Sequence, residues 1–587
     1  FRSFERGFLL PTGLILGLPI LFALTIAFLS QAMPSRWLNW ACAGLSLAVF
    51  SAWVISLFAV DGGALPSARP IDFVLFPIAT ALTLYLTWRM FGTFIVWFCL
   101  FWVIYFFVRG WLPDWTGIFA GSDATLAQSM RSMVLNFWSQ TGGMFGQPLQ
   151  VVSGNVLIFI VFGAVLMASG AGDLLMKIAN RLTGRFTGGA AHAAVASSAL
   201  FGTLSGAAIS NVVSTGVMTI PVIKRSGFKP AFSAAVYFEA RRQGGGPLPA
   251  EDRPGLTGQE RLQCLVFVLP LGTLSYFLFA QPSVPKAGFY GFIVALLAAL
   301  VLFPSFRSWP RLYRAFVNAG RMSASLIVIV AAIGLIVGLI QVSGFSGRRA
   351  LLLAQLASGP LFTTLIIVAL GAIVLGMGLP PGATYFIIVI ALSSGIDAVG
   401  IAPLTLHLFV VFFAVISTVT PPVALAAFAA APIAGADPVQ TGFQAARLAL
   451  AGFVIPFVFV YHPAVLYQLQ VLFVWFGGQL PNSRAMIDLA TVGWLDLGWI
   501  VLAFSLAMWL ATSALTGFEK ARLPALERLL RTGAAIGVLI PNMAIALPAL
   551  AVGVALILWH RLRSEDPFDS PNHAIHQRTE YGRTKDA

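Results

Sequence analysis

Long apolar runs separated by short polar segments make up the first part of the chain. Four such runs lie at residues 9–30, 38–60, 73–88 and 91–108. A run of about 20 apolar residues is long enough to cross the hydrocarbon core of a membrane as a helix. The pattern therefore predicts four membrane-spanning helices at the start of the chain. The last of them is rich in Phe, Trp and Tyr, which is typical of lipid-facing and interfacial positions.

The pattern changes after residue 150, because Gly, Ser and Pro enter the apolar runs and charges nearly vanish. Between residues 350 and 436 the one formal charge is Asp397. Backbone polar groups in lipid must be satisfied within the protein, so this stretch requires several crossings or re-entrant hairpins. Two segments, 202–211 and 376–384, interrupt their own hydrophobicity. Paired breaks of this kind are typical of the binding site of a secondary transporter, whereas close packing of helices through small residues is the alternative interpretation.

Composition narrows the class of protein. The 587 residues are 58% hydrophobic and 10% charged, whereas soluble domains carry about 25% charged residues. This excludes a soluble enzyme and a nucleic-acid-binding module. The net charge of +14 is explained by basic cytoplasmic loops. The chain has no phosphate-binding P-loop, so transport would be driven by an ion gradient or by a separate subunit.

The sequence predicts an all-α, polytopic membrane protein with roughly a dozen transmembrane helices. Shifts in composition divide it into five regions. They are an N-terminal membrane bundle (1–110), a polar or interfacial connecting segment (111–150), a transport region with two hairpins (151–465), additional C-terminal transmembrane helices (466–563) and a polar, disordered tail (564–587).

Two enzyme interpretations are possible alternatives. Gly170 to Asp173 matches the G-x-G-D pattern of intramembrane aspartyl proteases, but that chemistry needs a second carboxylate. Asp397 lacks the flanking pattern that the second carboxylate of that family has. A serine protease would combine Ser205 with His192 or His407, and no motif fixes such a pair. We therefore expect a protein that is not an enzyme, with Asp173 in a helix cap or turn.

The segments around the two breaks resemble the membrane component of tripartite ATP-independent periplasmic (TRAP) transporters, in the form that fuses a small four-helix subunit to a large subunit. The matching stretches are 161–173, 201–213, 220–230, 376–380, 407–417, 420–428 and Arg447 through 461–463.

This resemblance implies a permease in the bacterial inner membrane with an inverted repeat, two re-entrant hairpins and an elevator-type movement. It implies import of an organic acid, such as a C4-dicarboxylate, by Na⁺ symport, with a periplasmic solute-binding protein as partner and no cofactor besides the coupling ion. Another secondary transporter or antiporter subunit with broken helices is the alternative. By motif position the resemblance assigns ion and substrate binding to Ser205, Gly206 and Asn211 at the first tip, and to Gly376, Gly378, Pro380, Thr384, Thr420, Pro421 and Pro422 at the second. Among these, Ser205, Asn211, Gly378 and Thr420 are the expected Na⁺ ligands.

Two departures from the family pattern stand out. Pro381 and Gly382 occupy the places where the family usually has two threonines, and Thr384 follows two residues later. After Val236, where family members continue into a broken helix and one further helix, the chain passes directly to Tyr237. The resemblance therefore implies an internal deletion of about two helices at this junction, which would remove part of the first sodium site and impair the transporter. An artefact of the sequence record is the alternative, because it would look identical.

Overall fold

The structure is a computed structural model. It describes residues 12–30, 36–61, 67–113, 116, 125–138, 142–186, 189–205, 212, 215–216, 219–221, 223–224, 255–279, 283–343, 360–376, 381–392, 401–421, 424–462, 465–466 and 494–563.

The described residues are almost entirely helical. In chain order the α-helices are α1 Thr12–Ser30, α2 Arg36–Asp61, α3 Asp72–Phe91, α4 Thr93–Val108, α5 Leu126–Phe137, α6 Gln147–Val151, α7 Leu157–Ser169, α8 Ala171–Thr183, α9 Gly189–Ser205, α10 Gly258–Gln263, α11 Leu265–Phe279, α12 Val284–Leu302, α13 Trp309–Val342, α14 Leu361–Gly376, α15 Pro381–Leu392, α16 Pro403–Ile416, α17 Leu425–Ala434, α18 Pro438–Leu448, α19 Leu450–Tyr461, α20 Trp494–Thr516, α21 Ala525–Leu539 and α22 Met543–Arg563. Within these ranges there is no β-strand, and ten helical segments are long and apolar enough to cross a membrane. The all-α polytopic class is confirmed, and the two re-entrant hairpins stay a prediction.

The first four helices follow the four predicted apolar runs closely. Their boundaries differ from the predicted ones by only a few residues, because a membrane-length apolar run leaves a helix as the local solution for its backbone. Gly92 is the single residue between α3 and α4, and its φ is +85°. This left-handed conformation favours glycine, so Gly92 lets the chain turn at once from one helix into the next.

Helix α13 is the central element of the fold. Its 34 residues give it a length of about 51 Å. In its most apolar stretch of 18 residues, 83% of the residues are buried inside the protein. It contacts α1, α3, α4 and α7, as well as α15 of the second half. The N-terminal helices therefore share one apolar core with the large region that follows them, although the predicted division of the chain into five regions stays a prediction.

The turn at residues 142–145 packs directly on α13. A Cβ on Gly338 would lie 2.8 Å from Gly143 Cα, and a Cβ on Gly334 would lie 3.2 Å from Met144 Cα. Two glycines four residues apart allow this close approach, as they do in other membrane helices. Phe145 continues the contact by stacking on Trp53 of α2, with 3.5 Å between the ring centroids.

A buried polar network closes the same end of the N-terminal bundle. The Asp72 carboxylate is only 2% exposed. It accepts hydrogen bonds from the guanidinium of Arg69 at 2.9 Å and from the indole of Trp138 at 3.0 Å. The hydrogen bond to Asp72 also raises the pKa of Arg69. Trp138 in turn accepts a bond from the indole of Trp53 on its carbonyl, so each polar group here has its partner inside the protein.

The opposite end of α13, at its first residues, lies near the basic loops. Gln263 donates to Leu302 O at 3.1 Å, and Lys177 of α8 forms an ion pair with Glu260 of α10. These contacts hold α8, α10 and the end of α12 together near the start of α13. The positive-inside rule predicts that this end faces the cytoplasm.

The second half contains two short helices whose ends are both described. Helices α16 and α17 have 14 and 10 residues, so each is shorter than the roughly 20 residues that a membrane crossing needs. Helices α18 and α19 follow one another closely, and together they form an apolar segment, Pro438–Tyr461, that is long enough to cross. Leu365, Ile388, Phe409 and Phe413 belong to the apolar cluster that α14, α15 and α16 share, and Phe457 of α19 packs against it. The short helices α16 and α17 therefore contrast with the 34-residue α13.

Candidate binding site at a broken helix

Helix α16 ends inside the apolar second half of the chain. After Ile416 the chain makes one 3₁₀ turn, and Thr420 is then extended, with φ −96° and ψ 127°. Thr420 precedes Pro421, and a residue before proline is disfavoured in the helical conformation. The Thr420-Pro421-Pro422 sequence therefore breaks the helix by local sterics, and α17 starts five residues after Thr420.

Three hydroxyl groups cap the end of α16. The side chains of Ser417, Thr418 and Thr420 each donate at 2.7 Å, and they do so to the carbonyls of Ala414, Val415 and Ile416, respectively. A helix end leaves its last carbonyls without intrahelical partners, so these hydroxyls supply donors to the carbonyls of the last turn. Each hydroxyl that donates its proton in this way keeps two oxygen lone pairs as acceptors.

The end of α14 lies against this cap. A Cβ on Gly376 would overlap Ser417 Oγ, would lie 2.7 Å from Ser417 Cβ and would lie 3.1 Å from Thr384 Cγ2. Gly376 is therefore required because the backbone and the Ser417 side chain approach closely. Thr384 and Ser417 are 0% and 1% exposed, so the contact excludes solvent. Gly376, Thr384, Thr420 and Pro421, which the sequence assigns to the second tip, are thus gathered around the end of α16.

Backbone strain marks the other side of the break. Ala424 has a φ of +36°, which is rare for a residue with a side chain and is typical of functional sites. Its N–H donates to Thr420 O at 3.1 Å. Gly442 of α18 packs against the same turn, since a Cβ there would lie 3.2 Å from Ala424 Cβ and 3.6 Å from Pro421 Cγ.

The segment downstream of the first predicted tip lies beside α17, the helix that follows the second break. Lys224 Nζ donates to Ala434 O at 2.9 Å, and a Cβ on Gly216 would lie 3.7 Å from Ile433 Cδ1. Lysine at the C-terminal end of a helix is favourable for the helix dipole. These contacts bring the elements after both breaks next to each other.

Part of the predicted site lies outside the described residues. These predictions concern Gly206, Asn211, Gly378, Pro380 and Pro422. Ser205 is the last residue of α9, and its side chain is not described. Two of the expected Na⁺ ligands, Asn211 and Gly378, are in this group, so the structure describes the surroundings of Thr420 but not those of the first tip.

The residues of the enzyme alternatives are described only in part, since Asp397 and the side chain of Ser205 lie outside the described part of the chain. Asp173 is exposed in the first turn of α8, after Gly170, where an acidic side chain suits the helix dipole. His407 Nδ1 is 3.1 Å from the hydroxyl of Tyr385, so this histidine has a hydrogen-bond partner within the second half.

Oxygen atoms of neutral groups dominate the broken end of α16. In the part of the chain that the structure describes, no group of three or more His, Cys, Asp or Glu could hold a metal ion. The hydroxyls of Ser417 and Thr420 and the carbonyls of the unwound turn are hard ligands without a fixed charge, and alkali and alkaline-earth cations prefer oxygen ligands. The donor set at this break therefore fits Na⁺.

Sequence reasoning missed Ser417, Ala424 and Gly442. A weak signal for Ser417 exists, because Ser417-Thr418 interrupts an apolar run just before Thr-Pro-Pro. No signal points to Gly442, whose role depends on a contact between α18 and the break.

Ten membrane-length apolar helical segments among the described residues indicate a polytopic membrane protein, and the break after α16 is a candidate binding site within it. Comparison with known families gives the same class. The tripartite ATP-independent periplasmic transporter family, DctM component, matches residues 74–249 and 234–475. The two ranges cover well over half of the chain, and the chain belongs to this family. Members of this family are membrane permeases and not enzymes, as the sequence predicted.

Curated relatives match over short stretches. The uncharacterized protein YgiK of Salmonella typhimurium is 32% identical over 78 residues, which are 13% of this chain and 18% of that protein. The uncharacterized protein y4mL of Sinorhizobium fredii is 35% identical over 77 residues, 13% of this chain and 18% of that protein. The C4-dicarboxylate TRAP transporter large permease protein DctM of Pseudomonas aeruginosa is 35% identical over 82 residues, 14% of this chain and 19% of that protein. The chain thus matches less than a fifth of the length of each of these relatives.

Proposed function

We propose that this chain is the membrane permease of a Na⁺-coupled TRAP-type importer of organic acids, located in the bacterial inner membrane. The observation that carries the proposal is the break after α16, where Ser417 and Thr420 present hydroxyl oxygens next to Gly376 and Thr384. Family membership supports the transporter class. The relative in Pseudomonas aeruginosa is a C4-dicarboxylate permease by its name, which supports a carboxylate solute.

In this proposal the two breaks together form one site. Na⁺ binds to hydroxyl and carbonyl oxygens at both tips, with Ser205, Asn211, Gly378 and Thr420 as the ligands, because these groups satisfy a monovalent cation without introducing a buried charge. The carboxylate solute binds near half-helix N-termini, whose partial positive charge attracts anions. A periplasmic binding protein delivers the solute, and an elevator-type displacement carries the site across the membrane.

The test is sodium-dependent uptake by purified protein in vesicles, supplied with the neighbouring binding protein and radiolabelled succinate, malate or fumarate. We expect uptake with an inward Na⁺ gradient and background uptake when choline replaces Na⁺. Thr420→Val keeps the side-chain shape but removes the hydroxyl. The Na⁺ concentration for half-maximal uptake should therefore rise about tenfold, the equivalent of roughly 1.4 kcal/mol.

Two further variants control this experiment. Thr420→Ser restores the hydroxyl and should recover most of the sodium affinity. Thr405→Val removes a buried hydroxyl from the first turn of α16, far from the break, and should leave the sodium dependence unchanged. Uptake that is equal in Na⁺ and choline would contradict the coupling, and equal effects of the two valine variants would contradict the site.

We also infer that an internal deletion between Val236 and Tyr237 impairs this uptake, which is then slower than that of a permease with the missing helices but still depends on Na⁺. The two matched ranges of the family share residues 234–249, which include this junction, and this sharing supports a discontinuity there. Basic residues flank both sides (Lys224, Arg225, Lys229, Arg241 and Arg242), so loss of one crossing and its return would preserve the downstream orientation. Resequencing the locus tests the inference. If two further helices appear in the reading frame, the deletion belongs to the sequence record and not to the protein.

A further inference from the structure

The last three helices form a separate bundle. Helices α20, α21 and α22 lie beyond residue 475, where the family match ends. They pack on one another around an apolar cluster that includes Leu510 and Ala535. We call residues 494–563 the C-terminal bundle.

A buried ion network makes one end of this bundle rigid. Arg531 is 0% exposed. Its guanidinium lies 2.7 Å from a carboxylate oxygen of Glu519 and 2.8 Å from one of Glu527, and it donates to Ser513 Oγ at 2.8 Å. His560 of α22 lies 3.3 Å from Glu527. Arg561 of α22 adds an ion pair to Glu519 at 3.1 Å. Ion pairs and hydrogen bonds therefore join all three helices and the loop between α20 and α21, and pairing of this kind is how charged groups are tolerated away from water.

Two hydrogen bonds of the described residues connect this bundle to the transport region. Arg447, at the end of α18, donates to Leu515 O at the end of α20. His462 Nε2 is 3.4 Å from Leu539 O at the end of α21, and it is the donor because a carbonyl can only accept. Both acceptors are carbonyls of a last helical turn, which have no backbone partner. Arg447 and His462 flank α19, so the bundle is fastened at both ends of this helix.

Helix α19 packs against the helix that ends at the candidate site. Phe457 lies 5.3 Å from Phe409 and 6.0 Å from Phe413, measured between ring centroids. Phe453 adds a contact to Phe413 at 6.3 Å. Phe413 precedes Ser417 by one helical turn. The C-terminal bundle, α19 and the capped end of α16 are thus linked by successive contacts.

We propose that the C-terminal bundle is a buttress that docks on α18 and α19 and positions the broken end of α16. Its docking surface is the pair of helix ends at Leu515 and Leu539, and its partner is α19 with Arg447 and His462. Aromatic contacts transmit this support to Phe413, and so to the Ser417 hydroxyl cap. The binding of Na⁺ at the break rests on the proposed function. The docking of the C-terminal bundle does not, because it follows from the contacts in the fold.

Hydrogen–deuterium exchange on the purified full-length protein, without sodium or solute, tests this proposal. The variants are Arg447→Met, His462→Phe and the two combined, and the control is Arg311→Met, an exposed arginine at the start of α13. In the double variant we expect amides of α19 and of residues 413–424 to exchange about fivefold faster, because two side-chain hydrogen bonds are lost. Amides of α1 to α4 should be unchanged, and the control variant should behave as the wild type.

Rescue separates positioning from simple packing. Arg447→Gln keeps an N–H donor but shortens the side chain, and Arg447→Lys keeps the charge and a donor. Recovery of slow exchange at residues 413–424 in either variant supports the hydrogen bond to Leu515. If the double variant does not yield monodisperse protein, the two single variants carry the same comparison.

The buttress is overturned if exchange at residues 413–424 stays within about twofold of the wild type while α20 and α21 become faster. It is also overturned if Arg311→Met produces the same acceleration. Hydrogen–deuterium exchange is measured without any transport assay. If the variants exchange as expected but the protein shows no sodium-dependent uptake, only the proposed function is contradicted.

Discussion

The C-terminal bundle and the broken end of α16 place polar groups in an apolar protein in opposite ways. In the bundle, Arg531, Glu519 and Glu527 pair with one another, and the network includes the neighbouring Ser513 and His560. At the break, the hydroxyls of Ser417, Thr418 and Thr420 donate hydrogen bonds to backbone carbonyls of their own helix. Paired charges satisfy each other and hold structure, whereas neutral hydroxyls keep acceptor oxygens that a cation can use.

The N-terminal bundle supports this distinction. Asp72 is buried and is bound by Arg69 and Trp138, so it resembles the ion network and not the break. Buried charge in this protein is therefore a sign of structural support in the described regions. The segment with the fewest charges, residues 350–436, is the one that contains the candidate site.

Breaking the ion network should have the largest effect. Arg531→Met leaves Glu519 and Glu527 buried without their shared cation, and removal of one partner from a buried pair costs about 3–5 kcal/mol. Glu519 keeps one ion pair, with the half-exposed Arg561 at 3.1 Å, so the unpaired charge falls mainly on Glu527. We expect a large fall in the thermal unfolding temperature of the purified protein, or loss of monodisperse protein altogether. Arg311→Met should change the unfolding temperature little.

A compensating variant shows whether the cost comes from unpaired charge. Arg531→Met combined with Glu519→Gln and Glu527→Gln removes the three buried charges, and replacement of buried ion pairs by neutral groups is often tolerated. The remaining cation, Arg561, is 48% exposed and can be solvated. This triple variant should be more stable than Arg531→Met alone. A triple variant that is less stable would show that packing of the arginine stem, and not its charge, holds the bundle.

A smaller effect is expected from closing the gap between α14 and α16. Gly376→Ala places a methyl group against Ser417 Oγ and Cβ, and overpacking of this kind costs about 1–3 kcal/mol. We expect reduced thermal stability and uptake that falls by at least about tenfold, since a shift of the hydroxyl cap would misplace the proposed ion ligands.

The matched control lies on the same helix. Gly371 has no atom within 4 Å of an added Cβ, so Gly371→Ala should leave stability and uptake near wild type. Equal losses in the two variants would mean that α14 tolerates no change, and the specific contact with Ser417 would lose its support.

The smallest expected effect concerns the strained turn. Ala424→Gly removes the side chain from a residue with positive φ, and relief of such strain should stabilise the fold by roughly 0.5–1 kcal/mol. Ala426→Gly, in the first turn of α17, should have the opposite sign, because glycine in a helix is unfavourable. Thermal unfolding of the two variants side by side checks the prediction, and destabilisation by Ala424→Gly would show that the turn is not strained.

The sequence predicted more of the fold than of the site. The helices α1 to α4 and the break at Thr420-Pro421-Pro422 were predictable, because membrane length and the steric effect of proline act within a few residues. Gly376 and Thr420 were assigned by their motifs, but the sequence contained nothing to show that Gly376 packs on Ser417. The partners of Arg531 were also unpredictable, since ion pairs between three helices depend on the angles at which the helices pack.

By itself the sequence determined that this protein is helical, spans a membrane many times and interrupts its helices in the second half. These properties follow from local physics, in which lipid excludes unsatisfied backbone groups and proline excludes the helical conformation of its predecessor. The tertiary structure alone decided that Gly376, Thr384 and Ser417 meet, that Gly442 supports Ala424, and that the C-terminal bundle is fastened to both ends of α19. Those contacts join residues far apart in the chain, and their geometry is set by the packing of whole helices.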